Sequence, residues 1–143
     1  TMEAGNNYQF SFYVAGVCID QLGNSTGYDI AIMPPVAITL YGCTNGSNLP
    51  LVGAIGAPSE FDPSWIELGQ VIYTPEQNWQ MVTINFTPPV AINAIMFGAP
   101  VNLPAAYSSA LNLCYPYIVY DNLILNKKPD WVFVRQNCQM LAC

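Results

Sequence analysis

A chain of 143 residues with 52% hydrophobic and 8% charged residues is the size of one ordinary domain and too apolar to stay disordered. All three basic residues (Lys127, Lys128, Arg135) come after residue 126, while the stretch before it carries eight acids (Glu3, Asp20, Asp29, Glu60, Asp62, Glu67, Glu76, Asp121) and no base. With no Lys or Arg to neutralise phosphates, that stretch excludes nucleic acid and argues against phosphorylated or sulfated ligands, leaving neutral ligands and divalent cations.

Glu3 to Asn7 is a turn signal, after which Tyr8, Phe10, Phe12 and Val14 alternate with Gln9, Ser11 and Tyr13, the period of a half-buried strand. Such a strand needs a neighbour, and a preceding strand lost by truncation would supply one. Residues 16–34, rich in Gly, Asn, Ser, Asp and Pro, read as a long loop with room for a short strand. Val36 to Gly42 places Val36, Ile38 and Leu40 on one side and Ala37, Thr39 and Tyr41 on the other, and Cys43-Thr-Asn-Gly-Ser ends it in a turn. Pro50, Pro58 and Pro63 exclude a long helix between Ser47 and Ser64.

Trp65 to Thr74 predicts a strand with a bulge at Gly69. Trp79 to Thr87 is the clearest strand, with Val82, Ile84 and Phe86 opposed to Thr83 and Asn85; Trp79 is expected in the core, and Pro88-Pro89 stops the run. Ile92 to Ala99 repeats the pattern with Ile95 and Phe97. The loop from Pro100 to Cys114 contains a Ser-Ser-Ala-Leu stretch suited to one helical turn. Tyr115 to Leu125 closes the domain as an apolar strand expected in the middle of a packed sheet. Its one carboxylate, Asp121, then needs a cation, several backbone donors or an outward orientation.

No segment holds a helical apolar period over three turns, so the short strands predict an all-β fold, an antiparallel β-sandwich of Greek-key or jelly-roll type. A change of composition at Lys127-Lys128-Pro129-Asp130 sets a boundary: residues 1–126 form the sandwich module, and residues 127–143 a linker and the start of a following domain. No run of about 18 apolar residues predicts a transmembrane helix. The first residues lack the basic start and cleavage site of a signal peptide, so the chain reads as mature or trimmed. Five dispersed cysteines (Cys18, Cys43, Cys114, Cys138, Cys143) without a CxxC pair argue against zinc or redox chemistry. The few lysines and the acidic balance favour an extracellular, disulfide-permissive setting over buried free thiols, and the odd number of cysteines leaves at least one without an internal partner.

The sequence has no histidine, which excludes Ser-His-Asp and Cys-His catalysis and His-ligated metals. No GxxxxGK[ST] or GxGxxG loop is present. Glu60, Asp62 and Glu67 are clustered enough for glycoside hydrolysis but sit among prolines and are expected to be solvated loop acids, so the chain is not expected to be an enzyme. A neutral sugar stacks its C–H face on an exposed ring beside polar groups. Tyr28, Tyr41, Trp65, Tyr107 and Tyr115, at strand ends or in loops, are the candidate ligand platforms. Asp121 is the candidate metal ligand, for a calcium ion shared with Glu3, Asp20 and backbone carbonyls; the competing account is that it accepts hydrogen bonds from nearby backbone N–H groups. Asn24, Asn45 and Asn85 head N-x-[ST] sequons.

Taken in order, EAGNNYQFSFYVA, WQMVTINFTPPVAINAIMFG and YPYIVYDNLIL resemble the galactose-binding-like jelly rolls that include many carbohydrate-binding modules, over most of residues 3–125. LYGC, WIELGQV and IMFGAP look like modules of the large surface and gliding-associated adhesins that Bacteroidetes secrete through the type IX system. The resemblance implies a secreted, cell-surface, non-catalytic module for cell adhesion, attached to a neutral glycan or surface polymer. A structural spacer, or a self-assembling fibre or surface-layer subunit packed on neighbouring domains or copies of itself, is the alternative. Relatives of this kind commonly hold a structural calcium with the last-strand Asp, here Asp121, and oxygens near the first strand. This sequence begins at what corresponds to about the third strand of such a module and lacks the usual early acidic ligand. An Ig-like repeat often follows in these adhesins, with Trp131 to Cys143 in the position of its first strand.

Overall fold

The computed structural model describes residues 1–19, 22, 24, 33–46, 64–98 and 115–129. Six strands within them form two three-stranded antiparallel sheets. Sheet I, in the order β4-β1-β6, consists of β1 (Tyr8–Ile19), β4 (Gln80–Phe86) and β6 (Tyr115–Lys127). Sheet II, in the order β3-β2-β5, consists of β2 (Val36–Cys43), β3 (Trp65–Tyr73) and β5 (Ala94–Gly98). Among the described strands, β2 and β3 are the one consecutive pair in the same sheet, and every other consecutive pair lies in opposite sheets. The readings made for residues 25–32, 47–63, 99–114 and 130–143 lie outside the described residues. Among the described residues no helix is long and apolar enough to cross a membrane.

Alternation of side chains along each strand builds the core. Phe10, Phe12 and Val14 from β1 and Ile38 and Leu40 from β2 are buried face to face, joined by Ile84 and Phe86 of β4. Rings lock the two sheets together: Phe97 of β5 lies 5.1 Å from Phe10, 5.3 Å from Phe12 and 4.8 Å from Tyr120 of β6, centroid to centroid. The contacts of Phe97 with Phe10 and Tyr120 are edge-to-face and that with Phe12 is tilted; such ring pairs add to the burial of area. Among the described residues no buried side-chain nitrogen or oxygen lacks a hydrogen-bond partner, so the core carries no unpaired polar group to offset that gain.

The expected bulge at Gly69 is present. Leu40 pairs with Gly69 and Tyr41 with Glu67, which leaves Leu68 as the extra residue. A Cβ on Gly69 would stand 2.9 Å from Ile84 Cγ2, and one on Gly42 would stand 2.7 Å from Leu68 Cδ1. Glycine at these two positions therefore lets β4 close over β3 and lets the bulged leucine reach inward.

Three expectations are corrected. The first strand does not want for a neighbour: β1 is the centre of sheet I, paired with β4 on one flank and β6 on the other, and it runs on to Ile19, into the stretch read as loop. Conversely, among the described residues Tyr115 to Leu125 has a ladder partner on one flank only and does not lie in the middle of a sheet. Among the described residues β6 is an edge strand, with Tyr117, Val119, Leu123, Ile124 and Leu125 exposed. Apolar content alone does not set a strand's position, and β6 carries the charges and the bulge common on edges. Trp79 is 51% exposed, whereas Trp65 is 7% exposed and belongs to the core. Trp79 precedes the first residue of β4, outside the alternation that buries Ile84 and Phe86 and half-buries Val82.

Phe12 is 1% exposed and touches the rings of Phe10, Phe97 and Tyr120. We expect Phe12→Ala to lower the unfolding free energy by about 3–5 kcal/mol in urea titrations, and Met81→Ala, on the outer surface, to change it by no more than about 0.5 kcal/mol.

Candidate functional site

The outer face of sheet I divides into two halves. Towards the start of β1, Gln9 and Ser11 pair across the sheet with Asn85 and Thr83 of β4. Their side chains are joined by hydrogen bonds: Gln9 Nε2 donates to Asn85 Oδ1 at 3.3 Å, and the Ser11 and Thr83 hydroxyls lie 3.0 Å apart. This half is a polar, self-satisfied surface.

Further along β1 the same face turns apolar. Tyr13 stands between Met81 of β4 and Asp121 of β6 in one cross-strand row, and Ala15 pairs with Val119 and Val17 with Tyr117 in the next two. Met81 is 68% and Tyr117 53% exposed, Tyr13 and Val119 are exposed as well, and the small Ala15 is buried between them. The result is a row of two tyrosines and two aliphatic side chains over a low floor, with a carboxylate beside it. Tyr13 and Tyr117 are about 13 Å apart by strand rise, a span on which an extended chain of neutral rings or an apolar peptide can lie.

Asp121 is exposed on this face, which matches the outward orientation considered for it, and Asn122 N–H donates to its Oδ1 at 2.7 Å. Asn122 has φ 50°, and Asn122 and Leu123 together oppose the single residue Phe12, so the carboxylate caps a β-bulge. A left-handed residue is tolerated there because asparagine suffers least among side-chain-bearing residues.

Glu3, offered as a fellow calcium ligand, is engaged elsewhere. Its Oε2 accepts from Asn6 Nδ2 at 2.7 Å and from Lys127 Nζ at 3.1 Å. Lys127 lies about 20 Å of strand from Asp121, so the structure does not bring Glu3 and Asp121 together. Among the described residues no three His, Cys, Asp or Glu side chains converge on one point, and Asp20 lies outside them.

The five aromatic candidates are not brought together. Tyr41, half-buried, pairs with Glu67 and Met96 in sheet II, and Trp65 is buried beside Cys43 in the same sheet. Tyr115 opens β6 opposite Ile19, with only its backbone placement described. Tyr28 and Tyr107 lie outside the described residues, as do Glu60 and Asp62 of the acid cluster; Glu67 is exposed on β3. Tyr13, Met81, Val119 and Tyr117 were missed by sequence reasoning. The available signal was the large ring of Tyr13 on the side of β1 otherwise occupied by Gln9 and Ser11.

Further features lie elsewhere in the sandwich. Cys18 of β1 is disulfide-bonded. Cys43 is a buried free thiol that donates to Asn45 O at 3.1 Å and accepts from Asn45 N–H at 3.3 Å. A cleft of about 450 Å³ lies at the other end of sheet I, lined by Asn7, Tyr8, Asn85, Phe86, Thr87, Lys128 and Pro129. It is open, and its one charged group is Lys128. Asn24, Asn45 and Asn85, the sequon residues, are exposed. Comparisons with protein-family models, with characterised proteins and with solved structures gave no match.

The Lys127 ammonium, by hydrogen bond and by charge, holds the Glu3 carboxyl below its ordinary value, with Asn6 adding to the effect. A carboxyl lowered by folding stabilises the fold above its unfolded-state value, and the contribution is lost as pH falls through the lowered one. We expect an NMR titration to find Glu3 below the ordinary glutamate range, and Lys127→Met to move it back up.

Proposed function

We propose that this chain is a non-catalytic attachment module of a secreted or cell-surface adhesin, of the galactose-binding-like jelly-roll kind, which takes neutral glycans on the apolar half of the outer face of sheet I. The observation that carries the reading is the exposed row Met81, Tyr13 and Asp121 with Val119 and Tyr117 beside it. Sugar rings stack on tyrosine through their C–H faces, and the Asp121 carboxylate is placed to accept from hydroxyls. No Lys or Arg belongs to residues 1–126, so nothing on this half-face selects an anion. The disulfide at Cys18 supports an oxidising, extracellular setting. The connectivity supports the jelly-roll reading, because removing the first two strands of an eight-stranded jelly roll leaves these two strand orders.

Calcium at Asp121 belongs to the same proposal, and the oxygens completing its shell of about six to eight would have to come from backbone carbonyls or from Asp20. If it binds, chelation lowers the melting temperature and Asp121→Asn abolishes the response.

One observation favours a different reading. β6 presents Leu123, Ile124 and Leu125 to solvent along an edge that, among the described residues, has no ladder partner. A self-assembling spacer or fibre subunit would use such an edge. Electrophoresis through gels containing neutral polysaccharides, with sedimentation velocity at rising concentration, separates the two. For the binding module we expect retardation by at least one polysaccharide, weakened about tenfold or more, or about 1.4 kcal/mol, by Tyr13→Ala and by Tyr117→Ala. Mobility unaffected by every polysaccharide, together with a sedimentation coefficient that climbs with concentration, would replace the glycan reading with the spacer.

A further inference from the structure

We propose that the cleft at the far end of sheet I is a binding site for an acidic sugar, a uronic acid whose carboxylate is held by the Lys128 ammonium. Strand alternation and pairing assemble it. Asn7 stands one residue before β1 and Thr87 one residue after β4, and the hydroxyl of Thr87 bonds to the Asn7 side chain. On the other flank Lys128 N–H donates to Asn7 O at 2.8 Å, so Asn7 has Thr87 on one side and Lys128 on the other. Pro129 keeps the residue before it extended, and Lys128 therefore continues the line of β6 beside the cleft.

The hydrogen bonds already made leave the cleft with donors. Thr87 Oγ1 donates to Asn7 Oδ1 at 2.7 Å, and Gln9 Nε2 donates to Asn85 Oδ1 at 3.3 Å. Both amide oxygens are thereby used, and the NH2 groups of Asn7 and Asn85 bond to nothing else among the described residues. Lys128 Nζ has no partner among them either, whereas the neighbouring Lys127 pairs with Glu3. Three N–H donors thus line a cleft of about 450 Å³ with no acid among its lining residues. Small-molecule sites span roughly 300–1,000 Å³. A carboxylate, planar with two acceptor oxygens, meets an ammonium and an amide together. One cation matches one negative charge, which favours a carboxylate over a doubly charged phosphate. The second amide and the Thr87 hydroxyl are placed for ring hydroxyls, and the stacked pair Tyr8 and Phe86 closes the inner wall. This site lies at the opposite end of the sheet from Tyr13 and Tyr117 and does not rest on the neutral-glycan reading made for them.

Amide NMR of the 143-residue chain, titrated separately with galacturonate, galactose and acetate, tests it. We expect galacturonate to shift the Lys128 amide and the side-chain NH2 signals of Asn7 and Asn85 saturably, with half-saturation at roughly 1–10 mM. The amides of Tyr13 and Tyr117 should stay in place, and galactose and acetate should bind about tenfold or more weakly. Lys128→Gln should weaken galacturonate about tenfold or more. Asn85→Asp should weaken it as much, since it keeps the oxygen that accepts from Gln9 and replaces a donor with a negative charge. Absence of saturable shifts at these groups overturns the proposal. So does binding of galactose or acetate as tight as that of galacturonate, or a folded Lys128→Gln or Asn85→Asp variant that binds galacturonate unchanged.

Discussion

The meeting of Phe97 with Phe10, Phe12 and Tyr120 is the contact on which the sandwich depends. It brings together β5 of one sheet with the centre and one edge of the other. Few other forces are available to a chain with 8% charged residues. The one ion pair between described side chains, Glu3 with Lys127, is exposed and of the kind that contributes little. Cohesion therefore comes from apolar burial and from the ladders, and salt should matter less to this fold than to most.

The same shortage of charge shapes the surface. Where other proteins keep an outer sheet face wet with lysine and glutamate, sheet I uses hydroxyls and amides that bond to one another across β1 and β4. That leaves their hydration modest and their geometry fixed. The adjoining half, around Tyr13 and Tyr117, exchanges this polar cover for rings and aliphatic groups. A boundary between a self-satisfied polar strip and an apolar one suits a ligand that is itself two-sided, such as a pyranose with its C–H face and hydroxyl rim.

Strand identity was legible because period-2 alternation is a direct record of which side meets the core. The inward sets Tyr8, Phe10, Phe12 and Val14, then Val36, Ile38 and Leu40, and Val82, Ile84 and Phe86 could be read without knowing any pairing. The bulge at Gly69 was legible because a lone glycine in a strand marks a close approach. Neighbour relations were not. Alternation says nothing of whether a strand is central or at an edge, so β6, expected in the middle of a sheet, lies at an edge among the described residues. The site suffered from the same gap: Tyr13 and Tyr117 lie 104 positions apart in sequence, and only the ladder between β1 and β6 puts them on one face. The tryptophans were misassigned for a local reason, since Trp79 sits one residue outside its strand and Trp65 one residue inside.

The bulge at Asn122 keeps the phase of β6. Before it, the odd-numbered Tyr117, Val119 and Asp121 point away from the core, and after it the even-numbered Ile124 and Asn126 do, as their partners in β1 require. One left-handed residue thus reconciles two halves of a strand written in opposite reading frames. Loss of a single residue at this point would merge the two frames and leave both faces as they are, while the same loss anywhere else in β6 would turn every side chain beyond it inside out. Length variation in this strand therefore has one harmless address, beside the carboxylate of Asp121.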